Sequence, residues 1–461
     1  MKKRFLVWVV LAVFGVLGIS CATAGDIRGE VVGEAEWTII GYLNGDNNLA
    51  SSVRTLIERC ETVTGSDEKT NILILYDGAQ SKNLAKWSGS RLFLIKHDKE
   101  PFGEINSPYE DMGELDMGSA ETVENLLNRV FREYPAKKTM FVFLGHGSGS
   151  AGTQDGLNYS FSPDDTSESG MTAVDMSDAV KRAIDTSNNG RKIDIAIIFS
   201  CLSNTLEIAD EFKDIFSVVI GSPDEIVVFG GPYGDDHGRN GIAFWEAILA
   251  VKEDPEISGE KLSKRTIDAS LASYRQELDR MKSGDYDISL VAELSASVFG
   301  ALAAIDLGEM DRFMLHFEEL SDLLKKRLEE PVTRGATVSA LARASAQAQH
   351  YAGLEMIDLP DFLKELEKEF WDDELVVTAV GTVIDSYRDL IIYKRSEYYG
   401  NNISAGGMSI YMPHPIMCRE IFDRYMNYYK ASGFARETSW DEVMELYYQG
   451  VQEQKSVLAK N

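Results

Sequence analysis

The first half of the chain alternates between continuous runs of apolar residues and segments with apolar residues at helical spacing. The apolar runs cover residues 36–43, 71–76, 91–96, 139–144, 193–199 and 216–220. The helical segments cover residues 49–61, 119–134, 172–185 and 205–213. Strands that are apolar on both faces and alternate with helices are typical of a parallel sheet covered by helices on both sides. The pattern therefore predicts an α/β fold with a mostly parallel sheet flanked by helices.

Beyond residue 242 the pattern changes to long amphipathic stretches. They cover residues 243–251, 259–281, 302–328, 338–351 and 359–371, and an apolar run at 404–412 predicts one late strand. Helical periodicity without alternating strands indicates a mainly helical region. We therefore expect an α/β domain over residues 25–242 and a mainly helical C-terminal region over residues 243–461 that packs on it.

Residues 1–24 have the three parts of a signal peptide. Basic residues at positions 2–4 precede an apolar run at 5–19, and small residues at 20–24 end in an A-x-A cleavage site. An alternative stays open, because the residues before Cys21 resemble a bacterial lipoprotein box. No later segment has the ~18 consecutive apolar residues that cross a bilayer. We expect an exported protein that is secreted, periplasmic or lipid-anchored at the cell envelope.

The charge and the cysteines of the chain limit its partners. It carries 74 acidic and 46 basic residues, which gives a formal net charge of -28 at pH 7. Such a surface repels the phosphates of nucleic acids and anionic lipid headgroups, so neither is an expected partner. The cysteines that remain after the signal peptide are too few for a disulfide scaffold and leave at least one thiol unpaired. We expect a monomer whose partner is a peptide or protein substrate.

Two of the predicted strands end in residues that can carry chemistry together. The run MFVFLGHGSG places His146 between two glycines, and the run DIAIIFSC places Cys201 directly after its strand. If these strands are parallel, both side chains lie at the same edge of the sheet. An imidazole within hydrogen-bond reach makes a thiol nucleophilic at neutral pH, and the glycines let backbone N–H groups approach a substrate carbonyl. A helix that begins just after Cys201 is expected to lower the pKa of the thiol further.

Each of these residues also has a simpler interpretation. A cysteine at a strand end is often a small buried hydrophobe, and a histidine beside glycine is often structural. Residues 147–152 also spell the dinucleotide fingerprint G-x-G-x-x-G, but a polar segment with Pro163 follows where a helix is required. His237 lies in a loop, and no set of His, Cys and carboxylates has metal-ligand spacing, so no metal site is predicted. The joint placement of His146 and Cys201 favours a functional pair.

Several segments resemble the clostripain family of cysteine peptidases, which belongs to the caspase-like clan. These are EWTIIGYLNGDNNL, LGHGSG, DIAIIFSCLSNTLEIADEFKD, GSPDEIVVFGGPYGD, AAIDLGEM, EMIDLPDFLKEL and AGGMSIYMP. They occur in the family's order and are spread over most of the chain after the signal peptide. The resemblance implies a caspase-like α/β fold and cysteine endopeptidase activity.

The resemblance also implies roles for individual residues. His146 and Cys201 match the base and the nucleophile of a Cys–His dyad that forms an acyl-enzyme intermediate. The backbone N–H groups of Gly147 and Cys201 match the oxyanion hole. The best-known members of the family cleave after Arg or Lys through acidic side chains in the first pocket. Calcium supports some members, so calcium stays open as a cofactor.

The residues just before the nucleophile depart from the family. The family usually has Asp-Ala at the two positions where this chain has Phe199 and Ser200. An uncharged ring cannot pair with a substrate guanidinium, so a preference for Arg or Lys then needs another carboxylate. The candidate substrate-binding residues are Phe199, Ser200, Asp224, Asp235 and Asp236.

The loop after the histidine is a second departure. Family members often mature by self-cleavage after a basic residue in this loop, but residues 147–180 contain no Lys or Arg. We therefore expect no such cleavage here. Two alternatives stay open beside the peptidase. One is a peptidase-like protein that binds peptides or an envelope partner without cleaving them. The other is an unrelated α/β enzyme that uses nucleotides.

Overall fold

The computed structural model describes residues 27, 33–79, 87–99, 105–149, 161–226, 243–283, 300–351, 355–397 and 405–458. The strands are β1 (Ala35–Gly45), β2 (Thr70–Gly78), β3 (Gly89–Leu94), β4 (Tyr109–Gly113), β5 (Ala136–Leu144), β6 (Phe161–Asp164), β7 (Ser169–Met171), β8 (Ile193–Phe199), β9 (Phe216–Gly221), β10 (Ala301–Asp306), β11 (Met356–Asp358), β12 (Ile391–Ser396) and β13 (Ser409–Tyr411). The helices are α1 (Ala50–Val63), α2 (Ala120–Glu133), α3 (Ala173–Ser187), α4 (Leu206–Phe212), α5 (Phe244–Glu253), α6 (Gly259–Ser283), α7 (Met310–Glu329), α8 (Arg334–Gln347), α9 (Leu359–Glu369), α10 (Glu374–Leu390), α11 (Arg419–Tyr429), α12 (Gly433–Glu437) and α13 (Trp440–Leu458).

Within the described residues, nine strands form one central sheet in the order β12-β10-β9-β8-β5-β1-β2-β3-β4. The five consecutive strands β9, β8, β5, β1 and β2 pair in parallel with one another. Strands β3 and β10 pair antiparallel with both neighbours, so they alone run against the direction of the other strands in this sheet. The mostly parallel α/β sheet predicted from the apolar runs is confirmed.

Each central strand is apolar throughout because both of its faces are buried. In β1, Ile40 and Tyr42 belong to a core that includes residues of α2, α3 and α4. Ile39 and Leu43 point to the opposite face and belong to a second core with residues of α1, α5 and α6. The same alternation continues through the neighbouring parallel strands. Burial on both faces therefore fixes which residues of a strand can reach the sheet's edge.

Three helices of the first half begin at the polar residues that precede their apolar pattern. Ser119, Thr172 and Thr205 accept hydrogen bonds from backbone N–H groups in the first turns of α2, α3 and α4. These caps satisfy N–H groups that have no partner inside a helix. The predicted helices at 119–134, 172–185 and 205–213 are confirmed within two residues at each end.

The predicted helix at residues 302–328 is wrong in its first part. Residues Ala301–Asp306 form β10, which pairs with β9 on one side and β12 on the other. Asp306 then accepts a hydrogen bond from the N–H of Gly308 (2.9 Å), and α7 begins only at Met310. The alanine-rich run has a good helix propensity, but the position between two strands outweighs it. Residues beyond 242 therefore contribute two strands to the central sheet.

The predicted signal peptide over residues 1–24, including Cys21, lies outside the described residues. Among the residues that the structure does describe, no helix has the length and hydropathy to cross a membrane. Whether the mature chain begins near residue 25 or at Cys21 stays a prediction.

Candidate active site

His146 and Cys201 follow neighbouring strands at the same edge of the sheet. Strands β5 and β8 pair in parallel, with Leu144 opposite Phe199. The N–H of Gly145 continues the pairing by donating a hydrogen bond to the carbonyl of Phe199 (3.3 Å). His146 and Cys201 each come two residues after the paired positions. The backbone thus carries the two predicted residues past the carboxyl ends of adjacent strands.

The loops that follow these two residues pack against each other. Gly149 has φ +78°, and a Cβ atom at this position would lie 3.3 Å from Cβ of Leu202. Leu202 also has a positive φ of 54°, and its N–H donates a hydrogen bond to the carbonyl of Asp224 (3.0 Å). Glycine relieves both the backbone strain and the crowding at position 149. The loop after His146, the loop after Cys201 and the segment at Asp224 therefore meet.

The thiol of Cys201 is partly buried and neutral in the resting structure. The N–H of Ile226 points at its Sγ atom (3.3 Å). The pKa of Cys201 is raised to about 11, chiefly by burial; the N–H of Ile226 offsets part of this rise, and the nearby carboxylates of Glu225 and Asp224 contribute to it. The expectation of a lowered pKa for this thiol is wrong. Helix α4 begins only at Leu206, after a turn, so burial and two carboxylates dominate.

The imidazole of His146 is held in one tautomer. Its Nε2 atom lies 2.6 Å from the side-chain Oδ1 of Asn48. An amide oxygen only accepts hydrogen bonds, so Nε2 carries the hydrogen and Nδ1 carries the free electron pair. Burial lowers the pKa of His146 below 6.5, and the carboxylate of Asp165 offsets part of this effect. At pH 7 the ring is therefore a neutral base.

Asn48 is a site residue that sequence reasoning missed. It belongs to the Asp46-Asn47-Asn48 turn at the carboxyl end of β1, the strand next to β5. The sequence signal that could have indicated Asn48 was the polar turn directly after a buried parallel strand, where sites form in such sheets.

The end of β1 also contacts the chain that follows His146. The side-chain amide of Asn44 donates hydrogen bonds to Oγ of Ser162 (3.0 Å) and the carbonyl of Pro163 (2.9 Å).

The predicted substrate-binding residues lie in different surroundings. Phe199 and Ser200 are each only 2% exposed, and Phe199 belongs to the apolar core that includes α1, α5 and α6. Asp224 is partly buried and close enough to Cys201 to raise its pKa. Asp235 and Asp236 lie outside the described residues. Of this set, the structure brings Asp224 beside the thiol and places the ring of Phe199 in the core.

The backbone groups expected to form an oxyanion hole lie on the same two loops. Gly147 forms an isolated antiparallel bridge with Phe161, and the carbonyl of His146 accepts a hydrogen bond from the N–H of Ser162 (3.1 Å). Strand β6 thus supports the backbone directly after His146. The oxyanion roles of the Gly147 and Cys201 N–H groups stay predictions.

Three carboxylates that no sequence spacing indicated also meet at this edge of the sheet. Asp46, Asp77 and Glu114 each offer an oxygen atom, and these oxygens lie within 4.8 Å of one another. They follow or end strands β1, β2 and β4, which are far apart along the chain. Oxygen ligands of this kind suit a hard divalent cation.

The comparisons with known proteins agree with this architecture. A family model described as the clostripain family matches residues 41–447. Two similar solved structures are an inactive zymogen C11 protease from Parabacteroides distasonis and a secreted C11 cysteine protease from Bacteroides thetaiotaomicron in complex with an irreversible peptide inhibitor. The first covers 88% of this chain and 99% of its own, the second 89% and 100%, and both have a TM-score of 0.57 at 16% sequence identity. The predicted caspase-like fold is confirmed.

The chain belongs to the clostripain family, because the family model spans most of its length. It is also similar to clostripain from Hathewaya histolytica, with 26% identity over 192 residues. That alignment covers 38% of this chain and 36% of clostripain, so the chain matches about a third of the length of this relative.

Proposed function

We propose that the protein is an exported cysteine endopeptidase in which Cys201 is the nucleophile and His146 is the base. The observation that carries the proposal is the parallel pairing of β5 with β8, which brings both residues past the same edge of the sheet from adjacent strands. Membership of the clostripain family and the likeness in fold to a protease bound to a peptide inhibitor support it.

The proposed reaction begins from a neutral thiol and a neutral imidazole. The pKa of Cys201 lies above that of His146, so the proton stays on sulfur until a substrate is bound. As Sγ attacks the substrate carbonyl, Nδ1 of His146 takes the thiol proton. The N–H groups of Gly147 and Cys201 stabilise the oxyanion of the tetrahedral intermediate. Collapse breaks the C–N bond, the imidazolium protonates the leaving amine, and water then hydrolyses the acyl-enzyme.

The residue preferred before the cleaved bond depends on which carboxylates reach the pocket. With the Phe199 ring in the apolar core, it supplies no charge to a substrate side chain. The carbonyl of Asp224 accepts a hydrogen bond from the N–H of Leu202 in the loop after Cys201, and its carboxylate is near enough to Cys201 to raise the pKa of the thiol. We propose that any preference for Arg or Lys rests on Asp224, together with the predicted residues Asp235 and Asp236.

Export and lipid anchoring are proposed from the N-terminal pattern. The basic, apolar and small-residue parts of residues 1–24 support secretion, and one protease with the same fold is described as secreted. Cys21 supports lipid attachment as the alternative. Intact mass of the mature protein separates them, because cleavage after Ala24 leaves Gly25 as the first residue and lipidation leaves a modified Cys21.

A second candidate function is peptide binding without turnover. It is favoured by the raised pKa of Cys201 and by the Ile226 N–H that already engages Sγ. The raised pKa opposes formation of a thiolate in the resting protein, and the segment at Ile226 occupies one side of Sγ. A substrate that displaces the segment at Ile226 would remove its contact with Sγ. The two functions therefore differ in whether a bound peptide displaces this segment.

The test compares Cys201→Ala with a matched cysteine variant. Cys418 is also a free cysteine, is exposed and lies outside the candidate site, so Cys418→Ala is the control. We expect Cys201→Ala to abolish cleavage of a peptide library and labelling by a peptide acyloxymethyl ketone, while Cys418→Ala retains both. Unchanged cleavage by Cys201→Ala would overturn the proposal. Binding of the peptide ketone without labelling of Cys201 and without any cleavage would favour the second candidate.

A further inference from the structure

The three carboxylates at the ends of β1, β2 and β4 form a compact cluster. Asp46 and Asp77 are 1% and 0% exposed, whereas Glu114 is exposed to solvent. One oxygen from each lies within 4.8 Å of the others. Like charges held this close repel each other strongly when water is excluded. The fold therefore keeps two buried acidic groups and one exposed acidic group in contact.

The buried members of this cluster lack the hydrogen bonds that buried carboxylates normally have. Neither oxygen of Asp77 has a hydrogen-bond partner, and neither does Oδ2 of Asp46. An unpaired charge that is buried away from water strongly destabilises a fold. The arrangement is costly unless another group neutralises it.

Asp164 is a useful contrast within the same surroundings. Its Oδ2 accepts a hydrogen bond from the N–H of Met117 (2.9 Å) and its Oδ1 accepts one from Ser167 (2.7 Å). Backbone groups therefore satisfy Asp164. Asp77 has no such partners, although it is the more deeply buried of the two. Three unsatisfied carboxylate oxygens therefore lie within the cluster itself.

We infer that Asp46, Asp77 and Glu114 bind a divalent cation, and that the site prefers calcium. Carboxylate oxygens are the ligands of hard cations. Calcium accepts six to eight oxygen ligands in flexible geometry, and the exposed position of Glu114 leaves room for water to complete the shell. The resemblance to the clostripain family leaves calcium open as a cofactor without indicating a residue, and these three residues would hold it.

A cation at this cluster would also fix the turn that orients the candidate catalytic histidine. The carbonyl of Asp46 accepts a hydrogen bond from the N–H of Asp165 (2.9 Å), and its N–H donates one to Oδ1 of Asn44 (2.9 Å). Asn48, two residues further along this turn, contacts Nε2 of His146. This second part of the inference rests on the proposed function. The cation would act through the turn and would not touch the substrate.

Binding is measured on the full mature chain without substrate. Tyr76 precedes Asp77 and its ring lies 5.6 Å from that of Trp87, so excitation of these rings should sensitise luminescence of terbium bound at the cluster. We expect saturable terbium luminescence that calcium displaces at lower concentration than magnesium. Asp77→Asn and Glu114→Gln should each weaken binding at least tenfold. Equal terbium affinity in wild type and both variants, or no binding at millimolar calcium, would overturn the inference.

Thermal unfolding separates a lost site from a damaged fold. In chelator, Asp77→Asn should melt at or above the wild-type temperature, because it removes a charge from a repulsive cluster. In calcium, the wild type should gain stability and the variant should not. Asp194→Asn is the control, because Asp194 is a carboxylate of β8 that accepts a hydrogen bond from Thr139 (2.8 Å) away from the cluster. This control should retain the full calcium response, and loss of the response in Asp194→Asn would contradict the assignment.

Two further measurements link the site to the histidine and keep the proposals separable. Removal of calcium should shift the ¹⁵N resonances of His146 toward a mixture of tautomers, because Asn48 then holds Nε2 less firmly. Cys201→Ala retains all three carboxylates and should bind terbium as the wild type does. If catalysis is not found, the inference of a cation site is therefore unaffected. Unchanged ¹⁵N resonances on calcium removal would refute the link to His146.

Discussion

Two buried aspartates, Asp77 at the end of β2 and Asp358 at the start of α9, lie in opposite surroundings. Asp358 is 1% exposed and its oxygens accept hydrogen bonds from the N–H of Asp361, the N–H of Gly406 and the hydroxyl of Tyr351. It caps a helix and joins three segments of the C-terminal region. Asp77 is buried as deeply, has no hydrogen-bond partner and faces other carboxylates.

The difference indicates which region is arranged for stability and which for chemistry. The C-terminal region also supplies two donors to Glu207, whose Oε1 accepts hydrogen bonds from the N–H of Tyr411 (3.0 Å) and the hydroxyl of Tyr429 (2.9 Å), while its Oε2 has no partner. At the edge of the sheet, by contrast, Asp77 is unsatisfied and the His146 ring has only one of its two nitrogens occupied by Asn48. Native proteins keep such incomplete polar groups mainly where a ligand completes them.

The largest effect should come from the histidine at the sheet edge. Without the base, His146→Ala has no group to take the thiol proton, so kcat/KM should fall by roughly 10³-fold. The urea midpoint should stay unchanged, because the ring is only partly buried. His350 of the C-terminal region, whose Nε2 lies 2.9 Å from the carbonyl of Ser345, gives the matched control. If His350→Ala lost as much activity per folded molecule as His146→Ala, the contrast between the regions would fail.

The next effect should be one of stability rather than activity. Asp358→Ala removes the acceptor of two backbone N–H groups and one hydroxyl and leaves them buried. Such a loss should lower the free energy of unfolding by about 3 kcal/mol, as measured by urea unfolding, while kcat/KM per folded molecule stays within twofold. Asp358→Asn retains one oxygen acceptor and should lose less. A stable but inactive Asp358→Ala would place this residue with the chemistry instead.

Sequence alone predicted the strands of the α/β half and the edge of the sheet past which His146 and Cys201 both lie. It succeeded there because strands buried on both faces are apolar throughout, and parallel strands end at one edge. It failed at residues 301–306, where position in the sheet outweighs helix propensity. It also missed the Asp46, Asp77 and Glu114 cluster, because strand order in space, not spacing along the chain, brings these residues together.

The smallest effect should come from Asn48, because this side chain is exposed and acts only by orienting the ring. Asn48→Ala frees Nε2 and lets the ring adopt both tautomers, so kcat/KM near pH 7 should fall about tenfold. The pH profile provides the decisive measurement. Burial lowers the pKa of His146 below 6.5, so the neutral base is present above that pKa and activity should fall as pH decreases through it.

The two substitutions at position 48 should move this acid limb in opposite directions. Loss of an acceptor destabilises the imidazolium, so Asn48→Ala should shift the limb to lower pH. In Asn48→Asp, a carboxylate replaces the amide oxygen that lies 2.6 Å from Nε2, so the pKa of His146 should rise and the limb should shift to higher pH. A purely structural role for Asn48 would lower activity in both variants without moving either limb. Opposite shifts would instead show that the exposed side chain at position 48 sets the protonation of the base, which is the property that separates the sheet edge from the hydrogen-bonded carboxylate of Asp358 in the C-terminal region.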